Sequence, residues 1–189
     1  MNVLGIVCSP RQGGNTEIMV SEALKAAGEA GMATELFHMA GKRIAPCDGC
    51  NACLKTETCK LQDDMRELYH LLEKADGIVF GSPVYFFSVS AQAKIVIDRT
   101  YPLAHFRKLR GKAAAAIVTQ GAVGASQALS LLYTFFITHR MTVAGGGIGF
   151  GRDKGAVREG AGGSLSRTAM EEARAVGKNI VRAIRSSSE

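Results

Sequence analysis

Three short, almost wholly apolar runs punctuate the chain: NVLGIV at 2–7, GIVFGSPV at 77–84 and AAAAIVTQ at 113–120. Each ends in a polar or glycine-bearing loop, the pattern of strands buried on both faces at the centre of a parallel sheet. Between them, apolar residues at helical spacing predict helices over 16–30, 62–75, 90–101, 125–140 and 166–185. In the second of these, Met65, Leu68, Leu71 and Leu72 recur at three- and four-residue steps, with charges on the opposite side. The segments ATELFHM (33–39) and MTVAGGGIGF (141–150) add two strands. The expected fold class is therefore α/β: a doubly wound, five-stranded parallel sheet with helices between the strands.

Open sheets of this kind bind ligands beyond the carboxyl ends of their strands. That rule singles out the loops 8–16, 81–90 and 119–126. The first, CSPRQGGNTE, offers hydroxyls and unhindered backbone N–H groups at a helix N-terminus, a setting suited to an anion. It has neither the Gly-Lys-Ser/Thr ending of a Walker loop nor the G-x-G-x-x-G of dinucleotide sites, so a single phosphate is expected. From spacing alone, Asn15 or Thr16 serves equally as a helix N-cap. The second loop, Ser82-Pro83-Val84-Tyr85-Phe86-Phe87-Ser88, combines apolar walls with backbone donors, as a planar heterocycle requires. The alternative is that Tyr85, Phe86 and Phe87 are core residues, and at least one of them is expected to be. The third, Thr119-Gln120-Gly121-Ala122-Val123-Gly124, is a glycine-bearing turn that permits close backbone approach.

Four of the five cysteines fall within thirteen residues, as Cys47-x2-Cys50-x2-Cys53-x5-Cys59. In a reducing compartment such a run points to a metal or redox role rather than to structural disulfides. Zinc usually takes two pairs separated by a long spacer. Three cysteines at successive three-residue steps match the C-x2-C-x2-C run that wraps a cubane iron–sulfur cluster, with Cys59 as the fourth ligand. Zinc, free thiols and a redox disulfide remain as alternatives. Cys8, outside the run, reads as a small buried apolar residue.

Ser9-Pro10-Arg11 followed by Gly14-Asn15-Thr16 resembles the S-P-R-x-x-G-N-T phosphate loop of the flavodoxin-like NAD(P)H-dependent FMN reductases. The stretch from Pro83 to Arg99 is similar to the same family's P-V-Y segment, matched through Lys94, Asp98 and Arg99. The cysteine run ahead of Asp63-Asp64-Met65 closely resembles the iron–sulfur flavoproteins, a branch of that family. The resemblance covers the chain to about residue 150. It implies a flavodoxin-like fold with a cysteine-rich insertion at about 40–61, after the second strand. It also implies FMN held by Ser9, Arg11, Gly14, Asn15, Thr16, Pro83, Val84, Tyr85, Phe86, Thr119 and Gly121, and a [4Fe-4S] cluster on Cys47, Cys50, Cys53 and Cys59. NAD(P)H is implied as an electron donor, a ferredoxin-like protein as an electron carrier, and a homodimer or homotetramer as the assembly. An FMN or quinone reductase without a cluster is the second expectation, and a flavin-binding redox sensor without turnover the third.

Length and composition narrow the picture further. At 189 residues, one domain spanning 1–189 is expected. No apolar run approaches the roughly 20 residues of a membrane-spanning helix, so no membrane association is expected. The opening MNVLGIVCSPR lacks a basic segment and a cleavage site and reads as the first strand of a cytoplasmic protein. The net charge of +6 is concentrated between Asp98 and Asp153, where no acidic residue occurs and Arg99, Arg107, Lys108, Arg110, Lys112, Arg140 and Arg152 fall. Without aromatic interleaving or a zinc-finger spacing, this basic surface suits phosphorylated cofactors or an acidic carrier better than nucleic acid. The glycine-rich stretch around 145–163 reads as a mobile surface connection. His38, His70, His105 and His139 are scattered and read as surface or helix residues; no Ser-His-Asp arrangement suggests hydrolysis.

Overall fold

The computed structural model describes residues 1–163 and 166–187. Its elements run β1 (Asn2–Val7), α1 (Asn15–Glu29), β2 (Ala33–His38), α2 (Cys53–Thr56), α3 (Met65–Lys74), β3 (Gly77–Tyr85), β4 (Ser88–Val89), α4 (Ala91–Arg99), α5 (Tyr101–His105), β5 (Ala113–Gln120), α6 (Ala125–Thr138), β6 (Thr142–Phe150), a 3-10 turn at Ala156–Arg158, and α7 (Ala169–Ser186). Five parallel strands lie in the order β2-β1-β3-β5-β6, and the two-residue β4 folds back antiparallel on the end of β3. The chain thus winds outward from β1 in one direction and then in the other, leaving the switch point between β1 and β3.

Alternate side chains of each strand enter different layers, because successive Cβ atoms point to opposite faces. Leu4, Ile6, Phe80 and Ala116 pack with Met65, Leu68, Val96 and Phe136 on one side. Val3, Val7, Val79 and Ile117 pack with Met19, Val20, Val176 and Ile180 on the other. The central strands are accordingly apolar except near their ends, and β5 is buried over its whole length.

Several elements differ from the sequence expectation, among them β4 and α2, which it did not include. The helix expected over 90–101 divides into α4 and α5 around Thr100, because Pro102 has no N–H to continue the ladder. The helix expected from 62 starts only at Met65: Asp63 and Asp64 instead accept the backbone N–H groups of Ala45, at 3.0 Å, and Arg43, at 2.6 Å. The last helix starts at Ala169 under a reciprocal capping box of Thr168 and Glu171. The glycine-rich stretch is not a single surface connection. Its first part is β6, where a Cβ on Gly149 would lie 2.3 Å from Met19 Sδ, so glycine lets α1 close onto the sheet. Its second part carries the 3-10 turn with Val157 buried, and bridges join Gly149 to Gly162 and Ala161 to Thr168.

Candidate functional site: a phosphate cradle and a cysteine pocket

At the carboxyl ends of β1, β3 and β5 a cavity of about 200 Å³ is lined by Ser9, Arg11, Gly14, Asn15, Thr16, Pro83, Val84, Tyr85, Thr119 and Gly121. These are ten of the eleven residues expected from sequence to hold the cofactor. The loop after β1 delivers its backbone to the N-terminus of α1, where Gly14, not Asn15 or Thr16, is the N-cap and makes no side-chain cap. The first-turn N–H groups have no partners within the helix and are left for an anion. Ser9 Oγ accepts the Arg11 N–H at 3.1 Å, and the Gly13 N–H donates to Glu17 Oε2 at 2.6 Å, so the loop is held without using the helix N-terminus. Thr16 and Thr119 share a buried hydrogen bond of 2.7 Å that ties the first loop to the third.

Asn15 has a role that its place in the motif does not disclose. Its Nδ2 donates to the carbonyls of Gly151 and Asp153, both at 2.9 Å, and its Oδ1 accepts the Gly155 N–H at 2.9 Å. The side chain therefore fastens the segment after β6 over the cradle. Through that segment Gly151, Arg152 and Lys154 join the lining, as does Gln120. Sequence reasoning missed these four as site residues; the available signal was two cations following a strand that ends at the binding edge.

The second loop is a hairpin whose two central residues, Phe86 and Phe87, have φ of 48° and 63°. Left-handed backbone is costly for bulky residues, about 1 kcal/mol or more each. Tyr85, Phe86 and Phe87 are 41%, 97% and 54% exposed, so none is a core residue, contrary to expectation. They stand as an aromatic rim beside the cavity, with Phe86 outside the wall that the other ten residues form. The β3–β4 pairing fixes the direction of the turn, and a two-residue loop with both centres left-handed matches the strand twist.

The four clustered cysteines are free thiols and line one pocket beside α4 and α5; Cys47 and Cys50 are exposed, Cys53 and Cys59 half-buried. Among the described residues no three His, Cys, Asp or Glu side chains gather closely enough to hold a single ion. The thiols instead ring a hollow, with α2 carrying Cys53 between left-handed residues at Asn51 and Glu57. Asp48 pairs with Lys60 at 2.9 Å across the mouth, and that ammonium helps hold the carboxyl at about 2. Arg99 is 1% exposed and also lines this pocket. Its Nε has no hydrogen-bond partner. An all-thiol donor set beside an unpaired buried cationic donor suits an anionic sulfur-rich group.

Cys8, by contrast, is wholly buried at the end of β1, and burial pushes its thiol far up, as a structural cysteine requires. Two histidines depart from the surface reading. His139 is buried between α4 and α6, its Nε2 3.1 Å from Thr100 Oγ1, and burial lowers it to about 4. His38 lies at the end of β2 with Nε2 2.8 Å from Glu17 Oε2, touching the cradle indirectly. The basic stretch is also less of a surface than expected. Arg99 is buried, Lys112 donates to the carbonyls of Glu73 and Ala75, and Lys108 lies 3.7 Å from Glu57.

A parallel sheet in this order, with a phosphate loop, an aromatic hairpin and a glycine turn meeting at its switch point, defines a flavodoxin-like protein. A WrbA-like flavodoxin from Agrobacterium tumefaciens superposes with a TM-score of 0.68 over 98% of each chain at 16% identity, a likeness of fold alone. Residues 1–154 match the model of the NADPH-dependent FMN reductase family. An iron–sulfur flavoprotein of Methanocaldococcus jannaschii is 38% identical over 98% of both chains. Another, from Archaeoglobus fulgidus, is 42% identical over 82% of this chain and 80% of its own. The chain belongs to the NADPH-dependent FMN reductase family and, within it, to the iron–sulfur flavoproteins. It is a flavin-dependent oxidoreductase. No described helix is long and apolar enough to cross a membrane.

Proposed function

We propose that this chain is an electron-transfer flavoprotein that holds FMN in the cradle and a [4Fe-4S] cluster on Cys47, Cys50, Cys53 and Cys59. The observation that carries the reading is that all four thiols of the run line one pocket while a separate cradle lies at the sheet's switch point. When bound, FMN supplies a ring able to take one or two electrons and the cluster supplies a one-electron centre. Ser9, Arg11, Gly14, Asn15 and Thr16 take the phosphate, mainly through backbone N–H groups at the helix N-terminus. Pro83, Val84, Tyr85 and Phe86 wall the ring, and Thr119 and Gly121 let the backbone come close to its polar edge. Arg152 Nε, 3.2 Å from the Gly121 carbonyl, steadies that turn.

Electrons enter from a ferredoxin-like carrier and leave to a separate acceptor, in a cytoplasmic homodimer or homotetramer. Arg107 and Arg110, exposed beside the cysteine segment's neighbour α5, suit an acidic carrier. Anaerobic purification followed by iron, sulfide and flavin assays tests the reading. About four irons per chain are expected, lost on Cys50→Ser and kept on Cys8→Ser; a wild-type chain that carries flavin and no iron overturns it. The family match favours a second reading, an NAD(P)H-dependent FMN or quinone reductase without a cluster. That reading requires flavin reduction by NADPH or NADH at a rate unchanged by Cys50→Ser.

A further inference from the structure

Arg99 is the largest fully buried side chain among the described residues, and the hydrogen bonds of its guanidinium go to residues flanking the cysteine run. Nη1 donates to the Ala45 carbonyl and to Asp63 Oδ2, both at 2.7 Å, and Nη2 donates to Asp63 Oδ1 at 3.0 Å. Ala45 precedes Cys47 by two residues and Asp63 follows Cys59 by four, so one guanidinium joins the two flanks of the segment. Asp63 completes the clamp by accepting the Ala45 N–H at 3.0 Å and the Met65 N–H at 3.1 Å. The Tyr69 hydroxyl donates to the Arg99 carbonyl at 2.5 Å and fixes the base of the side chain on α4.

A planar fork of this kind holds two partners in one geometry, which an ammonium does not. Its remaining edge is the unusual part. Arg99 lines the cysteine pocket together with Cys59, and its Nε–H is buried without an acceptor. Buried charged donors normally find acceptors, and an orphan at a site lined by four thiols is matched by an anionic sulfur. Hydrogen bonds to the sulfurs of an iron–sulfur cluster favour its more negative, reduced state.

We propose that Arg99 is the positioning residue of the cysteine site, its guanidinium clamping both flanks of the segment and its Nε–H donating to sulfur there, which raises the reduction potential of the bound cluster. The second half rests on the cluster reading above; the first does not. Cluster potential in the reconstituted full-length protein, and the maleimide labelling rate of Cys59 in the metal-free, FMN-loaded protein, test the two halves separately. Arg99→Lys keeps the charge but has no fork and no Nε–H. It is expected to shift the one-electron reduction equilibrium of the cluster at least tenfold toward oxidised, about 59 mV downward, and to label Cys59 several-fold faster. Asp63→Asn leaves Nε–H in place, so labelling accelerates while the potential stays near that of the wild type.

Unchanged potential in Arg99→Lys overturns the sulfur hydrogen bond. Unchanged labelling in both variants overturns the clamp, and Asp63→Asn alone decides it if Arg99→Lys fails to retain FMN. A wild-type chain that takes up no iron overturns the cluster reading and the hydrogen bond together, and labelling still decides the clamp.

Discussion

Asn15 shows how one side chain can hold a distant segment closed over a cavity. Its amide meets two carbonyls and one N–H of the segment after β6, and each contact uses the end of the amide that suits it. Asn15→Asp sets a carboxylate against the Gly151 and Asp153 carbonyls. FMN affinity is expected to fall about tenfold or more, from the loss of roughly 1–3 kcal/mol that accompanies unpaired buried polar groups; a fluorescence titration measures it. His139 offers a second prediction at this scale. Thr100 donates its one hydroxyl proton to the Ile97 carbonyl at 2.7 Å, so it accepts from His139 Nε2–H, and burial keeps the ring neutral near pH 7. Burial lowers the folded value from 6.5 to about 4, so the unfolded chain binds a proton that the folded chain does not between these pH values. Stability is therefore lost as pH falls from about 6.5 towards 4, on the order of 2 kcal/mol, and His139→Gln flattens that part of a urea-unfolding profile. Both residues stand plainly in the sequence, yet neither role does. Asn15 acts across more than 130 residues of chain, and His139 meets Thr100 from 39 residues away.

Among the elements, the apolar strands were the most legible, because a strand covered on both faces leaves no polar position to confuse its length. Helix ends were less so. Pro102 and the Thr168-x-x-Glu171 box are local signals that correct the boundaries of α4 and α7 when read for capping and backbone chemistry rather than for apolar spacing. Thr168→Ala removes the box and is expected to destabilise the protein by about 1 kcal/mol, lowering the midpoint of thermal unfolding without changing FMN content. The β6 strand was expected, but four glycines in nine residues also read as part of a mobile connection, so its packing was less legible. What makes them a strand is the closeness of α1 and α7, a property of neighbours distant in sequence. Of the Phe86–Phe87 hairpin, only the expectation that at least one aromatic is core fails, because β4 turns the hairpin outward at the cavity rim.

For the molecule as a whole, a cavity at the sheet's switch point and a separate pocket lined by four thiols beside α4 and α5 lie in one chain. Ten of the eleven residues expected to hold the cofactor line one cavity because the topology of a doubly wound sheet dictates which loops meet, and the S-P-R and G-N-T groups lie in one of them. The cysteine run was legible as a motif, but its anchoring was not. Arg99 looked like one more cation in a basic stretch, and only the fold brings it under the cysteine segment with Asp63. The distribution of charge was correspondingly overread, since several of those cations are spent on carbonyls and carboxylates inside the fold. The central claim is that one chain carries both a flavin and an iron–sulfur centre. An anaerobic reductive titration of the purified protein, followed by absorbance, tests it most directly. The account predicts uptake of about three electrons per chain, two by the flavin and one by the cluster; an endpoint at about two, with only flavin bands bleaching, contradicts it.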